Sequence, residues 1–212
     1  MGRCVRPADA LGAVGAVVSR ETEARLYTLA TMLQRWSAAI NLVAPSTLDD
    51  LWRRHVADSA QLFPLQPAGA RHWADLGSGA GFPGLVIAAL ACEKAPHLRI
   101  TLVESDKRKG AFLTAAAAAL GIAPDIVMAR AESLPPLGAD VLSARALAPL
   151  TQLMPLVERH LADGGRAIFP KGRGHAAELA EALETWNASV QKIPSRTDAD
   201  AVILCMEGVS RA

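Results

Sequence analysis

The chain has 212 residues, 51% of them hydrophobic and 20% charged, with a formal net charge of +1. That composition is globular, long enough to bury one sizeable core, and it excludes disordered and fibrous classes. Near-neutral charge excludes a molecule-wide basic face, so any nucleic-acid footprint must be local.

At the start, Arg3 and Arg6 precede an Ala/Gly-rich stretch from Ala8 to Val18, a faint likeness to a secretory leader. Asp9 and the lack of Ile and Phe argue against one. Leu26, Leu29, Leu33, Trp36 and Ile40 recur at spacings of three and four, which predicts an amphipathic helix starting near Ser19 and closed by Asn41. A second helix is expected after Ser46 or Thr47, with Asp49 and Asp50 in its first turn and Leu51, Trp52, His55, Val56 and Ser59 along it. Trp36 and Trp52 read as core anchors. Pro64, Pro67 and Gly69 then break the chain.

From residue 71 short apolar runs alternate with helical patterns. Strands are predicted over 72–76, 99–104, 125–129, 139–144, 166–170, 189–193 and 201–207, and helices over 83–92, 107–120, 150–161 and 176–186. This alternation predicts an α/β fold, a doubly wound and mostly parallel sheet of seven strands over residues 69–212, behind a helical extension over residues 1–68. The last two strands have no helix between them and suggest an antiparallel hairpin at one edge. No window approaches a run of about 18 apolar residues. Cys4, Cys92 and Cys205 are odd in number and form no CxxC, so neither a zinc site nor a disulfide framework is expected, and a reducing, cytoplasmic compartment fits. The sequon at Asn187 carries no meaning there.

The chemistry concentrates in Asp75-Leu76-Gly77-Ser78-Gly79-Ala80-Gly81-Phe82-Pro83-Gly84, between a predicted strand and a predicted helix. Alternating glycines there permit positive φ and close approach of backbone to a ligand at the carboxyl end of the strand. Gly79 to Gly84 also satisfies the dinucleotide fingerprint. Two features favour S-adenosylmethionine instead. Asp75 suits an ammonium better than a pyrophosphate, and the glycine block begins earlier, at Gly77. Glu104, ending the second strand, suits ribose hydroxyls in either reading. Glu132, after the third strand, is placed to lie near an adenine.

These motifs, together with Val103-Glu104-Ser105, Lys107-Arg108, Arg130-Ala131-Glu132, Ala144-Arg145-Ala146 and Lys171-Gly172, resemble the RsmG (GidB) family. Upstream, Trp36, Asn41-Leu42, Arg54-His55 and Asp58-Ser59 are similar too, so the resemblance runs from about residue 25 to residue 207. It implies methylation of N7 of a guanine in a loop of 16S ribosomal RNA near the decoding site. It implies cofactor contacts at Gly77, Phe82, Ala131, Glu132 and Arg145. Phe82 is often aliphatic in the family and Glu104 is often Asp, both mild departures.

Guanine N7 carries a lone pair and no proton, so methyl transfer needs no general base, in keeping with a chain that shows no base–nucleophile pair. Arg145 is the expected catalytic residue, free to orient the cofactor, hold guanine O6 or bind phosphate. Arg53, Arg54 and His55 on the extension, and Lys171 and Arg173 after the fifth strand, are expected to meet RNA. The partner is 16S rRNA or the small subunit; no metal and no membrane are involved, and a monomer suffices. The rival readings are a nicotinamide-dependent oxidoreductase, a small-molecule methyltransferase and a non-catalytic RNA-binding module. The last has little support, because charge is near neutral and no aromatic RNA motif occurs.

Overall fold

The computed structural model describes residues 7–212; Arg3, Cys4 and Arg6 of the sequence reading lie outside the described residues. Seven strands form one sheet: β1 (His72–Leu76), β2 (Arg99–Val103), β3 (Asp125–Val127), β4 (Ala139–Ala144), β5 (Leu161–Lys171), β6 (Trp186–Pro194) and β7 (Val202–Arg211). Their order is β3-β2-β1-β4-β5-β7-β6. The first five strands run parallel, and β7 is antiparallel to both β5 and β6. The expected hairpin is present, with β7 taking the inner place and β6 the edge. Strand order reverses between β1 and β4, the position at which open α/β sheets bind ligands.

Trp73 and Leu76, three residues apart on β1, belong to different apolar clusters and so face opposite sides of the sheet. On the Trp73 side lie α2 (Arg20–Ser37), α4 (Gly84–Lys94) and α5 (Lys107–Leu120); on the Leu76 side lie α6 (Leu150–His160) and α7 (His175–Leu183). Gly84 to Ala91 of α4 are all buried. A helix apolar all round must be covered all round, and α4 is, by β2 beneath it and by α2 and the short α3 (Asp58–Ala60) outside it.

The first predicted helix forms as read. Ser19 caps α2, its Oγ accepting from the Thr22 amide at 3.2 Å. Leu26, Leu29 and Leu33 are fully buried in the same cluster as α4 and α5, and Trp36 packs edge-on against Phe112 at 5.6 Å. A further helix, α1 (Pro7–Ala13), buries Leu11 against this extension.

The second predicted helix is not regular. Pro45–Asp50 is a 3₁₀-helix, Trp52–Ala57 a π-helix, and only Asp58–Ala60 returns to an α turn. Side-chain contacts to the sheet and its loops, described below, hold this backbone where helical propensity alone would not. Strand β5 begins earlier than predicted because a register shift between Ala139 and Val141 admits the Gly164-Gly165 bend. Trp186 joins β6, not α7, and is buried beneath the Arg211 guanidinium at 4.3 Å.

Candidate functional site

The glycine loop follows β1. Gly77, Gly79 and Gly81 have φ of +67°, +53° and +82°. Gly79 and Gly84 are required for different reasons. A Cβ on Gly84 would collide with Leu102 and stand 2.7 Å from Asp75 Oδ2, so this glycine lets α4 sit close to β2. A Cβ on Gly79 would meet nothing nearer than 3.7 Å and would face Glu104 Oε2 at 4.0 Å. That open space beside a carboxylate is what a ligand needs.

Both acids predicted for the loop are engaged with backbone. Glu104, 7% exposed, accepts from the Gly79 amide at 2.8 Å through Oε2 and from the Asp106 amide at 2.7 Å through Oε1. Each oxygen keeps a second lone pair for a ligand hydroxyl. Asp75 is 1% exposed and lies beneath the loop. It accepts from Ser143 Oγ at 2.7 Å and from the Gly84 amide at 3.1 Å, while Trp73 Nε1 donates to the same Ser143 hydroxyl. Burial pushes the Asp75 carboxyl up to about 6, opposed by these hydrogen bonds. In the structure, Asp75 ties the loop's end at Gly84 to β4.

After β3, Ala131–Ser133 form a 3₁₀ turn in which Ala131 is buried and Glu132 exposed. The end of α6 holds this turn: His160 Nε2 meets the Ala131 carbonyl at 2.9 Å, and Arg159 donates twice to the Leu134 carbonyl.

A cleft of about 350 Å³ is lined by Arg53, Arg54 and His55 from the extension, Arg145 and Lys171 from the ends of β4 and β5, and Thr197 from the β6–β7 turn. Residues scattered over nearly 150 positions of chain thus converge. Arg145 Nη2 donates to the Arg54 carbonyl at 2.8 Å and to His55 Nδ1 at 3.0 Å, and its Nε stands 3.6 Å from Asp58 Oδ2. His55 Nε2 reaches Thr47 Oγ1 at 2.8 Å, and Thr47 in turn donates to the Ala44 carbonyl. The imidazole also stacks on Phe82 of the glycine loop, with ring centroids 5.1 Å apart. Burial lowers His55 to about 4, helped by the charges of Arg145 and Arg54.

One family model, described as rRNA small subunit methyltransferase G, matches residues 22–202. Ribosomal RNA small subunit methyltransferase G of Ruegeria pomeroyi is 50% identical over 92% of this chain and 95% of its own length; that of Cereibacter sphaeroides is 48% identical over 91% and 94%. The chain belongs to the rRNA small subunit methyltransferase G family. Among solved structures, a ribosomal protein L11 methylase from Lactobacillus delbrueckii subsp. bulgaricus shares the fold (TM-score 0.57, 18% identity, 74% of this chain and 78% of that one). So does TYW2 of P. horikoshii, solved in complex with MeSAdo (TM-score 0.55, 12% identity, 82% and 65%).

Within this methyltransferase G chain, the cleft brings Arg54, His55 and Lys171, expected from the sequence to meet RNA, together with Arg145, expected to be catalytic. Lys171 is largely occupied, however: its ammonium donates to Glu178 Oε1 at 2.7 Å and to the Ala148 carbonyl at 3.2 Å. Arg173 stands outside the cleft lining, exposed and paired with Asp200. Asp58 and Thr197 also line the cleft, although the sequence alone does not mark them as site residues. Thr197 Oγ1 and Gln61 Nε2 both donate to Asp58 Oδ1, at 2.6 Å and 2.9 Å, so the acid that faces Arg145 also anchors the β6–β7 turn. Asp58 lay within the motif that carried the resemblance; Thr197 gave no signal, since only the folded hairpin brings it near. Among the described residues no cluster of three or more His, Cys, Asp or Glu could hold a metal, and no helix is long and apolar enough to cross a membrane.

Proposed function

We propose that this chain transfers the methyl group of S-adenosylmethionine to N7 of a guanine in 16S ribosomal RNA. It acts as a cytoplasmic monomer whose domain over residues 69–212 holds the cofactor and whose extension over residues 1–68 helps to present the RNA. The observation that carries this reading is the space over Gly79, open toward Glu104, on a loop whose Phe82 stacks on His55 of a cleft lined by arginines.

The residues present fit the cofactor. The open face of Gly79 would admit the ligand close to backbone, Glu104 has lone pairs for ribose hydroxyls, and the Ala131–Glu132 turn would hold the adenine. Gly77, Gly81 and Phe82 complete the wall. When bound, the cofactor supplies an electrophilic methyl on a sulfonium. Asp75 lies under this wall, where its remaining negative charge favours the cationic ligand.

The chain's own contribution is placement and electrostatics. N7 has no proton to lose, so no base is required; both His55 nitrogens are in hydrogen bonds and the ring is held neutral. Catalysis then rests on aligning nucleophile and methyl and on charge arranged for the transition state. Arg145 Nη1, buried and without a partner, is the donor available to guanine O6. Arg53 and Arg54 at the cleft's rim meet flanking phosphates, with Lys171 and Arg173 adding positive field. A cleft of this size takes a base turned out of a loop, not a duplex.

The test is methyl transfer from labelled S-adenosylmethionine to small subunits or their naked RNA lacking the modification. Label released with guanine and found at N7 supports the reading; label confined to protein or small molecules overturns it. Calorimetry with S-adenosylhomocysteine and with NAD separates the oxidoreductase alternative, which requires NAD to bind more tightly.

A further inference from the structure

We propose that His55 is a positioning residue for Arg145: its ring, held from both edges and one face, fixes the guanidinium so that Nη1 alone remains for the substrate. The inference rests on the function proposed above and adds to it, since the sequence placed His55 against RNA.

Three contacts and one unpartnered donor carry it. Arg145 Nη2 gives both its hydrogens away, to the Arg54 carbonyl and to His55 Nδ1. Arg145 Nε faces Asp58. Nη1 is buried and unpartnered, a costly state for a charged donor unless a ligand completes it. An arginine whose other nitrogens are all directed inward cannot rotate its fork without losing them.

The tautomer follows from the same network. Nδ1 accepts from Arg145, so it carries no proton. Nε2 therefore carries the proton and donates to Thr47 Oγ1, whose own hydrogen goes to the Ala44 carbonyl. Thr47 sets the ring's proton, the ring sets Arg145, and the stack on Phe82 sets the distance of both from the glycine loop. The π turn Trp52–Ala57 carries the Arg54 carbonyl and the His55 ring to the same guanidinium. Widened turns of this kind recur at functional sites. A histidine that bound RNA phosphate would need a free N–H toward the cleft, and this ring has none.

Two variants and one spectrum test the proposal. His55→Phe keeps the ring stack but removes the acceptor; His55→Asn restores an acceptor at the Nδ1 position. In methyl transfer to small-subunit RNA, His55→Phe should lower kcat on the order of 10²-fold, the cost of misplacing a group by about 1 Å. KM for RNA should stay near wild type, and His55→Asn should recover most of kcat. A raised KM for RNA with kcat unchanged, or equal losses in both variants, overturns it. Independently of activity, ring ¹⁵N shifts at neutral pH should show a bare Nδ1 and a protonated Nε2; a protonated Nδ1 overturns the assignment. Failure of the wild type to methylate RNA would sink the proposed function while leaving this spectrum as predicted.

Discussion

The loop from Asp75 to Gly84 and the segment from Pro45 to Ala60 meet at the Phe82–His55 stack, yet they are built differently. The loop is a backbone device. Its shape follows from glycines at positive φ and from two carboxylates that receive amide hydrogens. The segment is a side-chain device. Its irregular turns hold because His55, Asp58, Arg53 and Gln61 reach partners far along the chain, Thr197 among them. Backbone devices tolerate no added atoms, whereas side-chain devices fail by losing a partner. The two kinds of damage should therefore separate in experiment.

The largest effect is expected at Gly79. Valine there fills the space facing Glu104 and forces a β-branched residue to a φ of +53°. Calorimetry should find no binding of S-adenosylhomocysteine in a variant that remains folded by circular dichroism. Retained affinity would break the assignment of the loop to the cofactor.

Next comes Arg145. Lysine keeps the charge but cannot serve Arg54, His55, Asp58 and a ligand together. Steady-state kinetics should show kcat reduced on the order of 10²–10³-fold, as for loss of a transition-state donor, with cofactor affinity changed far less. Equal losses in cofactor binding and turnover would blur the division between the two devices.

The pH response sharpens it further. His55 is lowered from 6.5 to about 4, so the unfolded chain binds that proton first and stability falls as pH drops through this window. Asp75 is raised from 3.8 to about 6, so the folded chain binds its proton first and stability rises as pH falls from 6. Each is worth about 3 kcal/mol at about 1.36 kcal/mol per unit, and the two oppose one another across most of the same range. His55→Asn removes one of them. Urea melts at about pH 7 and about pH 4.5 should show the variant gaining on the wild type as pH falls; parallel losses would mean that the ring does not resist protonation.

The smallest expected effect is at Glu104. Alanine leaves the Gly79 and Asp106 amides without their acceptor and should weaken cofactor binding by about 1–3 kcal/mol. Unchanged affinity would mean that Glu104 shapes the loop without touching the ribose.

The same division explains what the sequence disclosed. Lys107–Leu120 emerges with the predicted bounds because Asp106 caps its start and Gly121, at φ +65°, ends it, both local signals. The glycine loop was legible for the same reason: its shape is written in adjacent residues. The irregular segment was not. Its apolar spacing is near-helical, and what distorts it is Arg145, 90 positions away from His55. Lys171 was expected to meet RNA phosphate; its ion pair with Glu178, seven residues on, forms only once α7 folds back. Asp75 was expected to face a ligand's ammonium; its burial beneath its own loop leaves no mark in composition.

The place of β7 has a consequence for biosynthesis. β7 is made after β6 yet lies between it and β5, so β6 emerges earlier with no hydrogen-bonding neighbour and must wait for residues 202–211. Until they arrive, β5 also offers a bare edge, the kind of surface that pairs with stray chains. Interruption of translation in the turn between these strands would leave two sticky edges and a wall of the cleft missing.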